Sequence, residues 1–415
     1  MKRLLVSAAS LCLFSAPLVV AHAAEKERGF MAGATSSINF RNLYMERDYF
    51  GTTPQNRSKQ WAQGLIYKFD SGFTEGSVGF GLDVLARGVL KLDGGKGTVG
   101  DVIAADRGDG PPRDVGRIGL AAKVKVSDTV LKGGEFMVRT PLIIADDGRA
   151  MPQTYQGVLL TSQEFPNLKL TAGQIYRSAA KNDSSMQRLK LNGFSATSDN
   201  FSFGGAEYAI PGTQTSVGAW YGKLDDIYDQ KNLELINLYR VNEKFAVRST
   251  VRYWWGEDAG SAKAGSLSNQ TASGMFDFIY GPQTLRIGLQ KISGDNAWFR
   301  LSDACPCGIV ANDSLTNAST NAKEKSWQLR YDYNFAALGV PGLTMMVRYI
   351  RGTNVKTATT DNGTEWSHDE GIDYVFQSGK AKNLSVGLRH GTIHKSFNPS
   401  FNETRVIINY PISLL

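Results

Sequence analysis

The feature that most constrains this chain is a two-residue alternation of apolar and polar side chains, clearest at residues 326–335. The odd-numbered positions carry Trp, Leu, Tyr, Tyr and Phe, and the even-numbered positions carry Ser, Gln, Arg, Asp and Asn. Successive side chains of a strand point to opposite faces, so the segment predicts a strand with one aromatic-rich face. Similar segments recur to the end of the chain. A closed barrel in a membrane requires this pattern, because one face meets lipid and the other meets water.

The amino terminus predicts export from the cytoplasm. Lys2 and Arg3 precede an apolar run at 4–20 and the sequence Ala21-His22-Ala23, which is the order of a secretory signal peptide. We expect cleavage after Ala23, so that residues 1–23 are the signal peptide and 24–415 form a single barrel domain. No later stretch approaches the about 18 consecutive apolar residues of a membrane-spanning helix. An exported chain without such a helix crosses a membrane only as a barrel.

The gaps between the strand-like segments alternate between short and long. Two-residue turns are predicted at 127–128, 166–167 and 281–282, and long polar loops at about 177–200 and 293–325. Short turns at one rim and long loops at the other are typical of outer-membrane barrels, whose strand number is even. The fold class is therefore all-β, a transmembrane antiparallel β-barrel of about 18 strands. A further strand hidden within 177–200 would upset this count.

An 18-strand barrel leaves an aqueous passage unless loops fold into it. The third long loop, at 139–155, combines prolines and a glycine with charges of both signs. We therefore expect it to fold inward and narrow the pore, although an ordinary solvated loop is an equally good interpretation of the sequence. The candidates for the constriction are Arg139, Asp146, Asp147, Arg149 and Tyr155.

The same alternation directs several arginines into the lumen. Because the last strand must close on the first, five of them are expected on one wall: Arg41, Arg330, Arg348, Arg389 and Arg405. Strand eleven adds Arg248 and Arg252. A row of guanidinium groups offers a series of weak sites for carboxylates, and conduction needs sites that release as readily as they bind. The alternative is that each arginine pairs with a lumen acid such as Asp332 or Asp373. Few acids are expected opposite this wall, which favours a path for anions.

Charge and cysteine content exclude other classes of function. The chain has 46 Lys and Arg against 39 Asp and Glu, or 44 against 39 without the signal peptide. This bias of about +5 is too small to indicate nucleic-acid binding and suits a lumen that attracts anions. Cys305 and Cys307 lie too close for zinc-ligand spacing and have no nearby His. They form either a small disulfide ring or two thiols in a loop. We expect no cofactor and no metal.

An enzymatic function is the weakest of three alternatives. Ser178 and Lys181 match S-x-x-K, and residues 198–200 match S-D-N, but the K-T-G element of penicillin-recognising enzymes is missing. Matches to such short patterns arise by chance. The histidines beyond the signal peptide, His368, His390 and His394, form no catalytic constellation. A plugged structural or adhesive barrel is the other alternative to a channel, and it predicts an interior filled with matched charge pairs.

Several longer motifs resemble one family, the OprD-type substrate-specific outer-membrane channels of Pseudomonas and its relatives. They are INFRNLYMERDYF at 38–50, MPQTYQG at 151–157, LRYDYNFAALGVPGLTMMVRYIRG at 329–352 and ETRVIINYPISLL at 403–415. The resemblance implies 18 strands, an inward-folded third loop, a ladder of basic residues and uptake of small carboxylate-bearing nutrients. By position Arg41, Arg348, Arg389 and Arg405 match the ladder, and Asp295 looks like the acid that faces it at the narrowing. The third loop departs from the family form at Gly148.

These observations together predict an outer-membrane protein that takes up small carboxylates. Amino acids, aromatic acids and aliphatic acids all remain open as substrates. The expected partners are these acids, outer-membrane lipids and lipopolysaccharide, and the barrel-assembly machinery. Nucleic acid is not expected, and the protein is expected to be a monomer or a weak trimer.

Overall fold

In the computed structural model, which describes residues 29–51, 57–94, 101–104 and 110–415, eighteen antiparallel strands form one closed ring. The predicted signal peptide at 1–23 lies outside the described residues and stays a prediction. The all-β barrel of about 18 strands is confirmed. The strands are β1 (Thr35–Phe50), β2 (Arg57–Asp70), β3 (Gly79–Asp93), β4 (Asp114–Val126), β5 (Thr129–Phe136), β6 (Thr154–Phe165), β7 (Leu168–Ala179), β8 (Phe201–Ile210), β9 (Thr215–Leu224), β10 (Tyr228–Arg240), β11 (Phe245–Asp258), β12 (Ser268–Tyr280), β13 (Gln283–Gly294), β14 (Lys325–Asn334), β15 (Leu343–Val355), β16 (Gly363–Val375), β17 (Ser385–Lys395) and β18 (Ser400–Ser413).

The ring closes where the first strand pairs with the last. The register of β1 and β18 runs from Ser37 opposite Ser413 to Phe50 opposite Ser400. Each of the other strands pairs with the strand before it and the strand after it. Closure satisfies the backbone groups that a sheet edge would expose to lipid.

The predicted two-residue turns are present at one rim. They join β4 to β5 at 127–128, β6 to β7 at 166–167 and β12 to β13 at 281–282. Ser127, Asn167 and Gly281 have positive φ angles, as the turns that match the right-handed twist of paired strands require. The segment at 180–200 contains only two short strands, Gln187–Lys190 and Thr197–Ser198, which pair with each other. The even strand count therefore holds for the described residues.

The outer face carries apolar side chains, and the inner face carries polar ones. On β14, Trp327 and Leu329 are 45% and 46% exposed, whereas Ser326 and Gln328 are buried inside. Trp327 contacts Tyr349, and Tyr349 stacks on Trp366 across β14, β15 and β16. This arrangement inverts that of a water-soluble sandwich and matches a lipid-facing wall. In the described part of the chain, no helix is long and apolar enough to cross a membrane.

Part of the lumen is filled by an apolar cluster from loops and inward-facing strand residues. Leu142 of the third loop, Tyr155 of β6, Trp254 of β11 and Phe299 of the 295–324 loop are at most 1% exposed. The loops thus pack against the inner wall like a small core inside the barrel.

We expect Leu329→Arg to destabilise the barrel, because it places a charge on the lipid face in the middle of β14. The cost should be about 2–4 kcal/mol, falling to about 0–1 kcal/mol near an interface. Leu338→Arg, in the short connection after β14 where the side chain is 66% exposed, is the matched control. Urea unfolding in lipid vesicles measures both. Equal unfolding free energies for the two variants would contradict the assignment of the outer face.

Candidate functional site in the barrel lumen

The five predicted arginines lie on one continuous wall formed by β14 to β18 and β1. Arg330 of β14 stands directly opposite Arg348 of β15, and Arg389 of β17 stands opposite Arg405 of β18. Arg41 follows on β1. Like charges directly opposite each other on neighbouring strands repel, so this wall needs negative charge between its arginines.

Acidic side chains supply that charge, and the prediction that this wall is under-paired is wrong. Asp369 and Asp373 both lie on β16, between the two arginine pairs. The ion pairs of the five arginines are Arg41–Asp147 at 2.6 Å, Arg330–Asp332 at 2.6 Å, Arg348–Asp369 at 2.7 Å, Arg389–Asp373 at 3.2 Å and Arg405–Glu403 at 2.5 Å. Asp369 and Glu403 were missed, although alternation along β16 and β18 directs both inward.

The third loop contacts widely separated parts of the wall. Arg41 of β1 donates hydrogen bonds to the Asp147 carboxylate and to the Arg149 carbonyl oxygen. On β11, the indole Nε1 of Trp254 donates to the Pro141 carbonyl oxygen at 3.1 Å. On β3, Arg87 donates to the Pro152 carbonyl oxygen. A segment held by β1, β3 and β11 at once crosses the space that these strands enclose.

Four of the predicted constriction residues belong to this crossing segment. Asp146 is buried and pairs with Lys181. Its burial acts to raise the pKa, but Lys181 and the Gly148 amide outweigh that and hold the pKa below its ordinary value. Arg149 donates to the Asp101 carbonyl oxygen at 2.9 Å. Burial, and then the charge of Arg405, lowers the pKa of Arg149 to about 10, so the guanidinium stays charged at neutral pH. Asp147 and Arg139 are exposed.

Tyr155 and Asp295, in contrast, are not among the residues that contact the arginine wall. Tyr155 is fully buried in the apolar cluster, where its ring packs instead of facing the passage. Asp295 is 71% exposed and lies 3.2 Å from Lys323 and 3.6 Å from Lys356. Its ion-pair partners are therefore lysines and none of the five ladder arginines, and its assignment to the narrowing stays a prediction.

A second loop, at 295–324, also packs inside the ring, which was not predicted from the sequence of the long polar loop at 293–325. Arginines of three strands hold its backbone. Arg252 donates to the carbonyl oxygens of Gly308 and Ile309, each at 2.8 Å. Arg348 donates to that of Asp313 at 2.5 Å, and Arg405 to that of Leu315 at 3.0 Å. The apolar run at 309–311, which is buried, was the sequence signal for this packing.

The two loops meet at the cysteine pair. Cys305 and Cys307 are joined by a disulfide, and the Cys305 amide donates to the Ile144 carbonyl oxygen of the third loop at 3.0 Å. The Asp146 carboxylate lies within 4.8 Å of both sulfur atoms. Disulfide sulfurs are not thiolates and are poor metal ligands, so this group acts as a loop staple.

Between the loops and the wall lies a cavity of about 360 Å³. Among the described residues, its lining includes seven basic and four acidic side chains. The basic residues are Arg139, Lys169, Arg248, Arg252, Arg286, Arg330 and Arg348, and the acidic residues are Glu207, Glu234, Asp277 and Asp313. Arg286 was missed, although alternation along β13 directs it inward. The cavity lies against β7, β8 and β10 to β15, so it includes Arg330 and Arg348 from one end of the predicted ladder and extends beyond them.

Arg248 differs from its neighbours because its side chain makes no direct bond to a described residue, although it stands opposite Asp277 in the register of β11 and β12. Arg252 pairs with Glu234, and Arg286 pairs with Asp277 at 3.1 Å and Asp332 at 2.9 Å. The guanidinium of Arg248 forms no hydrogen bond or salt bridge with any residue that the structure describes. A charge of this kind in a partly enclosed cavity is available to an anion.

The residues of the enzyme-like motifs make structural contacts in the barrel wall and its loops. Lys181 is paired with Asp146. Ser178 is a buried residue of β7, opposite Tyr155 in the register. The Ser198 hydroxyl is within 3.4 Å of the backbone of Asn200. Since Lys181 is bonded to a carboxylate, it is not poised to activate Ser178.

Comparison with known proteins agrees with this architecture. The family model described as "outer membrane porin, OprD family" matches residues 28–414. The chain belongs to the OprD family of outer-membrane porins. It is thus an outer-membrane β-barrel channel for the uptake of small molecules, which confirms the predicted family and localisation.

Individual relatives match over nearly the whole chain. The porin-like protein GalP of Pseudomonas putida is 44% identical over 391 residues, covering 93% of this chain and 94% of that protein. The crystal structure of a BenF-like porin from Pseudomonas fluorescens Pf-5 has a TM-score of 0.91 at 43% identity and covers 93% of this chain and all of that chain. The crystal structure of Pseudomonas aeruginosa OpdK with vanillate has a TM-score of 0.88 at 37% identity, with the same coverage.

Gly64→Ala tests the position of the third loop. A Cβ at Gly64, on the inner face of β2, would collide with the Ala150 carbonyl oxygen. We expect the loop to be pushed toward the centre of the passage, lowering the open-channel conductance and costing about 1–3 kcal/mol of unfolding free energy. In the control, Gly88→Ala, the added carbon would be 3.7 Å from its nearest neighbour, the Val115 carbonyl oxygen. Conductance in planar bilayers that does not distinguish the two variants would contradict this loop position.

Proposed function

We propose that this porin is a diffusion channel for small carboxylates, which pass through a lumen lined with arginines. The observation that carries the proposal is the cavity between the two inward-packed loops, where basic side chains outnumber acidic ones. A site with excess positive charge, shielded by loops from bulk water, attracts anions more strongly than an exposed surface does. That OpdK was crystallised with vanillate, a small carboxylate, supports the same class of solute.

In this proposal most of the lumen arginines hold the wall and the loops together, and they still attract carboxylates weakly. An arginine that is bonded to a carboxylate and to a loop carbonyl keeps further N–H donors, since a guanidinium has five. Arg348, bonded to Asp369 and to the Asp313 carbonyl oxygen, keeps donors near the cavity in this way, and so does Arg330, which is bonded to Asp332 alone. Such partly satisfied groups bind an acid weakly, and weak sites in series permit passage. The row continues beyond the cavity with Arg41, Arg389 and Arg405, which provide further weak sites along which the acid passes.

We assign the constriction to both loops rather than to the third loop alone. Arg139 and Ile144 of the third loop and 308–311 of the second loop line the same cavity. The disulfide ring at 305–307 contacts the third loop backbone. Two loops that support each other hold a narrow passage more rigidly than one loop, which suits a selective channel.

The assembly of the protein follows from the same proposal. Removal of residues 1–23 leaves the barrel domain at 24–415, which barrel-assembly machinery inserts among outer-membrane lipids and lipopolysaccharide. The protein acts as a monomer or a weak trimer, without a cofactor and without catalysis.

A plugged structural barrel is the second candidate, and one specific observation favours it. All five predicted ladder arginines have carboxylate partners, as that alternative predicts. The channel is preferred because a cavity remains between the loops and Arg248 lacks a partner within the described chain. In a plugged barrel, a guanidinium beside an open cavity would contribute neither packing nor a salt bridge, so the plug gives no reason for Arg248.

Arg248→Ala tests the channel directly. We expect the concentration of benzoate that half-blocks single-channel current to rise about tenfold, because one hydrogen-bonded charge contact is lost. The barrel should still fold, since Arg248 forms no hydrogen bond or salt bridge with a described residue and the neighbouring Asp277 keeps its salt bridge to Arg286. Planar-bilayer recordings of the refolded protein measure both the block and the open-channel current.

Arg351→Ala is the matched control. Arg351 is on β15, three residues beyond Arg348, but on the face that also carries Tyr349 and therefore points away from the lumen. Its removal should leave the block unchanged. Identical block in the wild type and both variants would contradict a role for Arg248, and folded barrels that pass no current would favour the plug.

A further inference from the structure

One acid of the cavity stands apart from the other three. Glu207 pairs with Lys169 at 3.1 Å, Glu234 pairs with Arg252, and Asp277 pairs with Arg286. The carboxyl group of Asp313 forms no hydrogen bond or salt bridge with any residue in the described ranges. Its backbone is nevertheless fixed, because Arg348 donates to the Asp313 carbonyl oxygen. The loop thus holds an unused carboxyl group at the cavity wall.

The charges around Asp313 have opposite effects on its protonation. Arg348 of β15 and Arg300 of its own loop favour the ionised form, whereas Asp146 of the third loop and Asp369 of β16 oppose it. Burial is the largest effect, and the pKa of Asp313 is raised to about 7. Near neutral pH this group therefore exchanges its proton readily and is able both to accept and to donate a hydrogen bond.

Arg248 lines the same cavity, and its guanidinium also forms no hydrogen bond or salt bridge with a described residue. It belongs to β11, whereas Asp313 belongs to the inward-packed loop at 295–324, and both residues line the cavity. An elongated small acid is thus offered a cation at one end and a carboxyl group at the other.

We propose that Asp313 determines specificity by binding a hydroxyl group of carboxylates whose acid group lies at Arg248. This inference rests on the proposed function and names its substrate class as hydroxylated monocarboxylates. A hydroxyl suits Asp313 in either protonation state, because it both donates and accepts.

Substituents other than a hydroxyl are less suitable partners for Asp313 in a carboxylate bound at Arg248. An ammonium group would be repelled by Arg300 and Arg348 beside Asp313, and by the surplus of basic residues in the lining. A second carboxylate would be repelled by ionised Asp313. A plain apolar end would displace water from the half-buried carboxyl group without replacing its hydrogen bond, which is the usual basis for rejecting an analogue that lacks a hydroxyl.

The test compares benzoate with its three hydroxybenzoate isomers as blockers of single-channel current. In the wild type, at least one isomer should block at about a tenfold lower concentration than benzoate, as expected for one hydrogen bond to a charged group. Asp313→Ala should abolish this preference without weakening the block by benzoate. Asp361→Ala, at an exposed acid in the 356–362 loop, is the control and should retain the preference.

Asp313→Leu is a second variant of similar size without an acceptor, for use if the alanine variant forms no channels. A hydroxyl preference that is absent from the wild type, or that persists in both Asp313 variants while all the acids still block, overturns the inference and leaves the carboxylate channel in place. Failure of benzoate and every isomer to block the wild type overturns the proposed function itself.

Discussion

The structure depends on one constraint, that no backbone hydrogen-bonding group may remain unpaired in lipid. An unsatisfied amide or carbonyl in hydrocarbon costs several kcal/mol, so a sheet that spans the membrane has to close. The long register between β1 and β18 provides that closure. A closed ring then assigns every second side chain to lipid and the others to the lumen. Exposed Trp327 and Leu329 and buried Ser326 and Gln328 on β14 are direct consequences, as is the collection of charged residues inside.

Charges gathered in a narrow lumen have to be balanced, and this protein balances them in two ways. Carboxylates of β16 separate the two opposed arginine pairs of β14–β15 and β17–β18. Arginines also donate to carbonyl oxygens of the inward-packed loops, as Arg252, Arg348 and Arg405 do in the second loop. The wall therefore positions the loops, and the loops set the shape of the passage. Positive charge in excess of these needs remains at the cavity, and that excess is what an entering anion would meet.

The fold was predictable because period-two alternation carries it directly. Strand number, the short-turn rim and the inward direction of Arg41, Arg330, Arg348, Arg389 and Arg405 all follow from alternation and turn residues. Alternation gives the face of a residue but not its partner, so the pairing by Asp369 and Glu403 was underestimated. Loops have no such period. The packing of 295–324 inside the ring, the burial of Tyr155 and the exposure of Asp295 depend on tertiary contacts that spacing does not encode. Alternation directs both Arg248 and Arg286 inward, although only Arg248 was predicted, and only the structure shows that they share one cavity.

The most direct test of the central claim, that the lumen favours anions, is the zero-current potential across a bilayer that separates two concentrations of potassium benzoate. If the lumen attracts carboxylates, the potential takes the sign set by benzoate moving down its gradient faster than potassium. A potential of the opposite sign, or one close to zero, would mean that the paired arginines leave no net preference, and it would contradict the account.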